Sequence, residues 1–536
     1  MLTRLLIALF VLILPGPALA QTTVLDDFED IPAWSADAST DVSAEVSQVD
    51  GREGQALRLD YDFNDVSGYA FAARPLVIEP PANYEISCWV RGGGPANTFE
   101  VKFTDASVDN VHWRQVTRWE APDDWTLVTI RRRHIVKAWG PNPDPVYRGS
   151  ERIEFVIAAG EGGVGLIEVD QLTLRELPPE PSSPPRPIAA ATSEAGVFAA
   201  GQAVDGDAET PWLTAAGGTQ NLTLDLGYER EFGGVTLRWA EAAHASRYAL
   251  SVSPDGERWS RVREVTDGNG GSDPILLTET AARWLRLDLM DGPGEAYALN
   301  EIEIEPLSFG EDATSFVTAV ADEARRGLYP RGFHGEQPYW TLVGVDGGGD
   351  SGLMGEDGAI ELGRGGPSVE PFVVENGRLI TWADVGVTQS LMDDYLPIPS
   401  VRWAAEDWTL DVTAMAEGAP EQAVLYGRYV LTNTSNRTLD LTLALAARPL
   451  QVNGPVQFLS TPGGVSPVER IDWDGQRLSL GEVFAVTPLS APDGVTASTF
   501  DAGADPQSLI ASGREASHSV QDAAGLAAQR TDGMGR

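Results

Sequence analysis

The sequence predicts an all-β chain built as a row of β-sandwich domains, and three observations carry the prediction. Short alternating or β-branched runs bounded by turn residues dominate, among them Ala56–Asp62, Asn221–Gly227 and Ala282–Leu289. A period of two in such runs turns one face inward and the other to water. Gly (56) and Pro (36) are frequent, and long stripes of helical period are rare. At 536 residues the chain has room for about three or four domains.

The first twenty residues stand apart. Met1–Ala20 reads as a signal peptide: Arg4, an apolar run from Leu5 to Leu14, then Ala18-Leu19-Ala20 as a cleavage site. The run is too short to span a bilayer. The expected location is exported, periplasmic or extracellular, with no membrane insertion. A single cysteine, Cys88, excludes an internal disulfide and reads as a small buried hydrophobe in the strand-like run Tyr84–Val90. The net charge of −41 argues against nucleic acid or anionic lipid as partner. It fits a neutral ligand and bound cations, and solubility alone would explain it as well.

The first domain is expected over residues 23–177, with strands at Ala56–Asp62, Tyr84–Val90, Thr98–Phe103, Trp125–Val136, Ile153–Ala158 and Leu166–Leu174. This count and spacing suggest a jelly roll. Trp113 and Trp119 fall on one face of a strand. Arg131, Arg133, Lys137 and Trp139 are expected together on one face of the next. Aromatic faces stack on the apolar side of a pyranose, and Arg donates to its hydroxyls, so this face is the candidate sugar site. Internal ion pairs are the alternative for the basic residues. The opening Leu25–Glu29 and the closing Ile167–Leu174 resemble the two ends of galactose-binding-like carbohydrate-binding modules. That resemblance implies Glu29 and Asp170 as ligands of a structural calcium. Acidic strand ends facing water are the alternative.

Six prolines in Glu176–Pro187 make an extended linker, taken as 178–187. The next domain is expected over residues 188–307. Its loop Ala203–Trp212 places Asp205, Asp207 and Thr210 oxygens around Gly206, and Ca2+ takes about six to eight oxygen ligands. The loop resembles the A-x-D-G-x-x-x-T-x-W calcium loop of discoidin-type (coagulation factor 5/8 C) domains. The resemblance implies closure by Glu301 within Leu299–Glu303, and an ordinary Asx turn is the alternative. Trp239, Trp259 and Trp284 read as core. His244 and Arg247 are the best ligand candidates, although no aromatic platform accompanies them. This domain could be a spacer that keeps calcium and has lost the sugar.

A third sandwich is expected over 310–484, opening with a short helix within Asp312–Arg326, capped by Thr314 or Ser315. Tyr429–Ser435 followed by Arg448–Asn453 resembles the β-sandwich that precedes (α/α)6-barrel domains in some glycoside hydrolases and phosphorylases. Residues 485–536 are expected to be loosely ordered or truncated. No G-x-S-x-G elbow, H-E-x-x-H pair or clustered zinc spacing occurs. Asp393-Asp394 reads as a turn, so no catalytic residue is assigned. The reading is an exported modular carbohydrate-binding protein with structural calcium and a polysaccharide or glycan partner. A glycoside hydrolase or phosphorylase whose catalytic part lies elsewhere and a cell-surface adhesion scaffold are the alternatives.

Overall fold

The computed structural model describes residues 22–240, 243–455, 463–466, 468 and 470–501, with the backbone of 519–521. The signal-peptide segment Met1–Ala20 lies outside them, as do 502–518 and 522–536. The described chain forms two compact units, one ending at Pro184 and one beginning at Pro185. The division falls inside the proline-rich stretch. Residues 188–307 and 310–484 share the second unit.

The first unit is two antiparallel sheets. One runs Ser43–Asp50, Gln55–Asp62, Val164–Glu176, Tyr84–Gly93, Thr126–Arg131, with Thr22–Asp26 also on Val164–Glu176. The other runs Val136–Trp139, Val111–Trp119, Asn97–Thr104, Ser150–Ala158, Tyr69–Ile78, Ser35–Ala38. The alternation read from the sequence sets the core between them. Leu57, Leu59, Tyr61, Ile86, Val90, Phe99, Val101, Phe103, Ile153, Phe155 and Ile157 all point in. Cys88 joins them, and burial pushes its thiol up to about 12.

In the second unit, two strands of 20 residues each, Gln220–Trp239 and Ser272–Asp291, pair along most of their length. Register breaks after Asp225 and Phe232 let one strand pair serve two directions. Trp212 and Trp239 are core residues. Trp259 and Trp284 are not: each is only partly buried, with the Arg286 guanidinium 4.4 Å from the Trp259 ring and the Arg283 guanidinium 5.5 Å from the Trp284 ring. Period two marks a face, and here the polar face also carries tryptophans under arginines.

Residues beyond Gly310 form a sheet Trp340–Val343, Gly352–Gly355, Ile360–Glu361, Ser368–Glu375, Arg378–Ile380, with Leu441–Arg448 on Ser368–Glu375. It packs on the four-stranded sheet Gly386–Met392, Leu396–Ala404, Trp408–Glu417, Val424–Asn433 through Trp403, Trp408, Leu410 and Val412. The expected helix spans Ala313–Glu323. Its cap is Asp312, whose carboxylate accepts the Ser315 N–H at 2.7 Å, because the helix starts two residues earlier than a Thr314 cap would allow. Asp393 and Asp394 form a left-handed turn at a hairpin tip (φ 52° and 65°). In the stretch 485–501, Phe500 packs on Phe316 with ring centroids 5.3 Å apart, and Asp501 pairs with Arg263 at 2.7 Å.

Asp501 also faces a buried cluster. Asp273 accepts from Trp239 Nε1 at 2.8 Å and from the Tyr248 hydroxyl at 3.1 Å. Burial, helped by Asp501, lifts its carboxyl to about 7 against those two donors. Its folded value lies above the unfolded one, so the associated stability is complete below about pH 4 and is lost as pH rises toward 7. Asp273→Asn keeps an acceptor for both donors. It is expected to flatten the fall in melting temperature across that window, and parallel profiles for parent and variant would contradict this.

Candidate functional sites

The face of the second sheet that points away from the first unit's core carries the sugar candidates. Register puts Ala73, Glu154, Lys102, Trp113 and Val136 in one row and Phe71, Val156, Glu100 and Gln115 in the next. The Trp113 and Trp139 rings meet edge to face, 5.4 Å apart at 89°. Lys102 Nζ lies 5.3 Å from the Trp139 ring, 5.8 Å from Trp113 and 5.7 Å from Tyr69. It pairs with Glu100 at 3.0 Å. Glu100 also accepts from Gln115 Nε2 at 2.7 Å, and Glu154 from Arg152 Nε at 2.8 Å. Both carboxylates are nearly buried, at 3% and 6% exposure, while Trp139 is 47% exposed. The face therefore combines open aromatic surface with fixed donors and acceptors, the combination that recognises a sugar's CH face and hydroxyls.

Arg131 does not join this face, and Arg133 lies in the turn that follows it. The strand Thr126–Arg131 ends at Arg131 in the other sheet, where Arg131 meets Glu85 at 3.3 Å. A 3-10 turn, Arg132–His134, then carries the chain across, and Val136–Trp139 pairs with Val111–Trp119. His134 Nδ1 accepts the Arg131 N–H at 3.2 Å and holds that turn. A period-two count holds only within one strand, so it failed across a change of sheet. Lys102, Glu100, Glu154 and Tyr69 take the place of the arginines. Their strands show plain alternation in sequence, and only cross-strand pairing brings them to the tryptophans.

Glu29 and Asp170 both grip the turn Gly51–Gly54. Asp170 Oδ2 accepts the Arg52 and Glu53 N–H groups at 2.9 and 3.0 Å, and Glu29 Oε1 accepts the Gln55 N–H at 3.0 Å. Gly54 adopts φ +66°, and a Cβ there would stand 1.7 Å from Glu29 Oε1. Asp170 is fully buried, its Oδ1 has no hydrogen-bond partner, and burial raises its carboxyl despite the N–H donors. A buried carboxylate oxygen without a donor is costly by itself. Carboxylate and backbone oxygens at this turn are of the type that a hard cation takes.

The loop Ala203–Trp212 is drawn onto the strand Ala298–Glu305. Gly206 N–H donates to Glu301 Oε2 at 2.9 Å, and Thr210 Oγ1 to Asp205 Oδ2 at 2.9 Å. Asp207 turns its carboxylate back on its own turn, where Oδ1 accepts the Glu209 N–H at 3.1 Å. Its carbonyl faces Thr210 Oγ1 at 3.0 Å. The fully buried Trp212 anchors the loop through Nε1 to the Ser193 carbonyl at 3.1 Å. Burial raises the Glu301 carboxyl, and Asp205 and Glu303 add repulsion that Gly206 and Arg186 oppose. Among the described residues no group of three or more His, Cys, Asp or Glu is placed to hold a metal. A cation here would need Asp205 and Glu301 together with hydroxyl and backbone oxygens, which suits Ca2+ and not zinc.

His244 and Arg247 are not brought together. His244 is half-buried, which lowers its pKa, and its ring sits so close to Gly270 that a Cβ there would lie 2.6 Å from Nδ1. Arg247 is exposed and pairs with Glu264 at 3.1 Å. Residues 241–242 of this loop lie outside the described residues.

Comparison with curated proteins gives no match. Among solved structures, chitosan-binding module 1 of a chitosanase/glucanase from Paenibacillus sp. IK-5 is 35% identical, covering 22% of this chain and 94% of the module, with a TM-score of 0.21. Module 2 of that enzyme, solved with chitotriose, is 30% identical, covering 22% and 96%, with a TM-score of 0.22. The family 11 carbohydrate-binding module of a cellulosomal cellulase from Clostridium thermocellum is 15% identical, covering 29% and 95%, with a TM-score of 0.26. The F5/8 type C domain family matches residues 187–302, the stretch that holds the Asp205 loop, Trp212 and Glu301. Over those residues the chain belongs to the F5/8 type C domain family.

Proposed function

We propose that this is an exported modular protein that binds a polysaccharide or glycan through its first unit, with calcium as a structural cofactor in both units. The observation that carries the reading is the Trp113–Trp139 corner over Lys102, on a sheet face with the nearly buried Glu100 and Glu154. Acidic and basic groups pair there, so the face suits a neutral sugar. The calcium reading rests on the orphan Asp170 oxygen, on Glu29 holding the same turn, and on the Asp205–Thr210–Glu301 convergence. Export rests on Met1–Ala20.

The experiment is retention of the full chain on a panel of insoluble polysaccharides, using protein recovered outside the cytoplasm, whose amino terminus is expected at Gln21. Trp113→Ala and Trp139→Ala are each expected to weaken retention about tenfold, the equivalent of about 1.4 kcal/mol. Arg131→Ala, on the other sheet, is expected to leave retention unchanged. A single shallow face should bind weakly, and repeated sites on a polymer should raise the avidity. Undiminished retention in both Trp variants would assign the ligand to another surface. Recovery only from the cytoplasm with Met1 retained would remove the export part.

A further inference from the structure

A second recognition site lies in the part of the chain beyond Gly310, independent of the sheet face above. A small, open cleft is bounded by Arg331, Tyr339, Glu356, Asp357, Glu370 and Trp382. Most of its charged groups are committed to one another. Arg331 donates to Asp357 through Nε and Nη2 at 3.0 and 2.6 Å and to Glu336 through Nη1 at 2.7 Å. Arg326 holds Glu336 at 2.5 and 2.9 Å. Both guanidiniums lie over Trp382, at 4.4 and 4.3 Å, so that ring is already used.

Glu356 is the exception. Its Oε1 receives the Tyr339 N–H at 3.2 Å and lies 3.2 Å from Arg331 Nε. The Glu356 N–H returns a bond to the Tyr339 carbonyl at 3.0 Å, which clasps the two residues side by side. No described donor reaches Oε2. Three carboxylates (Glu336, Glu356, Asp357) thus face two guanidiniums (Arg326, Arg331), an excess of one negative charge in a half-enclosed space. Burial raises the Glu356 and Asp357 carboxyls accordingly. His334, beside Trp382, is held toward its neutral form by burial and does not supply the missing charge. Beside Glu356 stands the Tyr339 ring, 61% exposed. A carboxylate with a free oxygen next to an open aromatic face is the recognition chemistry of an ammonium group, which takes both a charge-assisted hydrogen bond and a cation–π contact.

We propose that this cleft binds a small ligand bearing a protonated amine, with Glu356 as counter-ion and Tyr339 as the stacking wall. The test is calorimetric titration of the full chain at about pH 6 with glucosamine and with glucose, which differ by the amine. Glucosamine is expected to saturate, with glucose at least tenfold weaker. Glu356→Gln, which keeps shape and removes charge, is expected to weaken glucosamine at least tenfold, and Tyr339→Ala several-fold. The double variant Trp113→Ala/Trp139→Ala should bind glucosamine as the parent does, which separates this site from the sheet-face reading. Absence of saturation, equal binding of glucose, or loss of glucosamine binding in the Trp double variant would each overturn the proposal. If Glu356→Gln fails to fold, Tyr339→Ala decides: unchanged glucosamine affinity overturns the proposal.

Discussion

Arg448→Met is expected to destabilise the second unit by about 3–5 kcal/mol, the range for breaking a buried ion pair on one side only. Arg448 donates to Glu370 with both sides of its guanidinium, Nε at 2.8 Å, and the two side chains are only 11% and 7% exposed. The guanidinium also sits over Tyr329 and Phe372, at 5.4 and 5.5 Å. Methionine keeps much of the apolar stem, so the loss falls on Glu370, left with Ser368 Oγ at 3.3 Å as its described donor. Arg448→Met with Glu370→Leu should recover most of the loss, because removing both charges removes the desolvation problem. Chemical denaturation measures this, and a single-variant cost under about 1 kcal/mol would show that Glu370 is hydrated.

Calcium is expected to have the next largest effect. Binding to the folded state alone adds RT ln(1 + [L]/Kd), about 2.7 kcal/mol at a hundredfold excess over Kd. Chelation should lower the melting temperature of the full chain. Glu301→Gln should remove the part of that sensitivity that belongs to the second unit, because Glu301 closes the loop through Gly206. Asp170→Asn should remove the part that belongs to the first unit. The turn Gly51–Gly54 loses one acceptor charge there but keeps an amide oxygen for Arg52 and Glu53. Each variant alone is expected to leave the other response intact. Melting curves that superimpose with and without chelator would end the calcium reading for both sites.

Local pattern determined much of this molecule. Alternation in Ala56–Asp62, Tyr84–Val90 and Thr98–Phe103 names the inward residues without reference to any partner strand, because Cβ direction follows from the pleat. The turn around Asp205 was legible for the same reason: the hydrogen bonds of Asp205, Asp207 and Thr210 close within the loop, although Gly206 and Trp212 tie it to a distant strand. The proline-rich stretch, which cannot enter a sheet, holds the division between the units. What depended on distant pairing could not be read this way. The crossing at Arg132–His134 sends Arg131 and Trp139 to different sheets. Lys102 and Glu100 reach Trp113 through the register of a hairpin, and Glu154 joins them only through pairing with a strand far along the chain. The orphan oxygen of Asp170 depends on a turn more than a hundred residues earlier in the chain. The cleft at Glu356 likewise draws Arg331, Glu370 and Trp382 from separate elements. One sequence window specifies which way a side chain points along its own strand; burial, charge balance and the neighbours that make a site come from segments that only the folded chain places together.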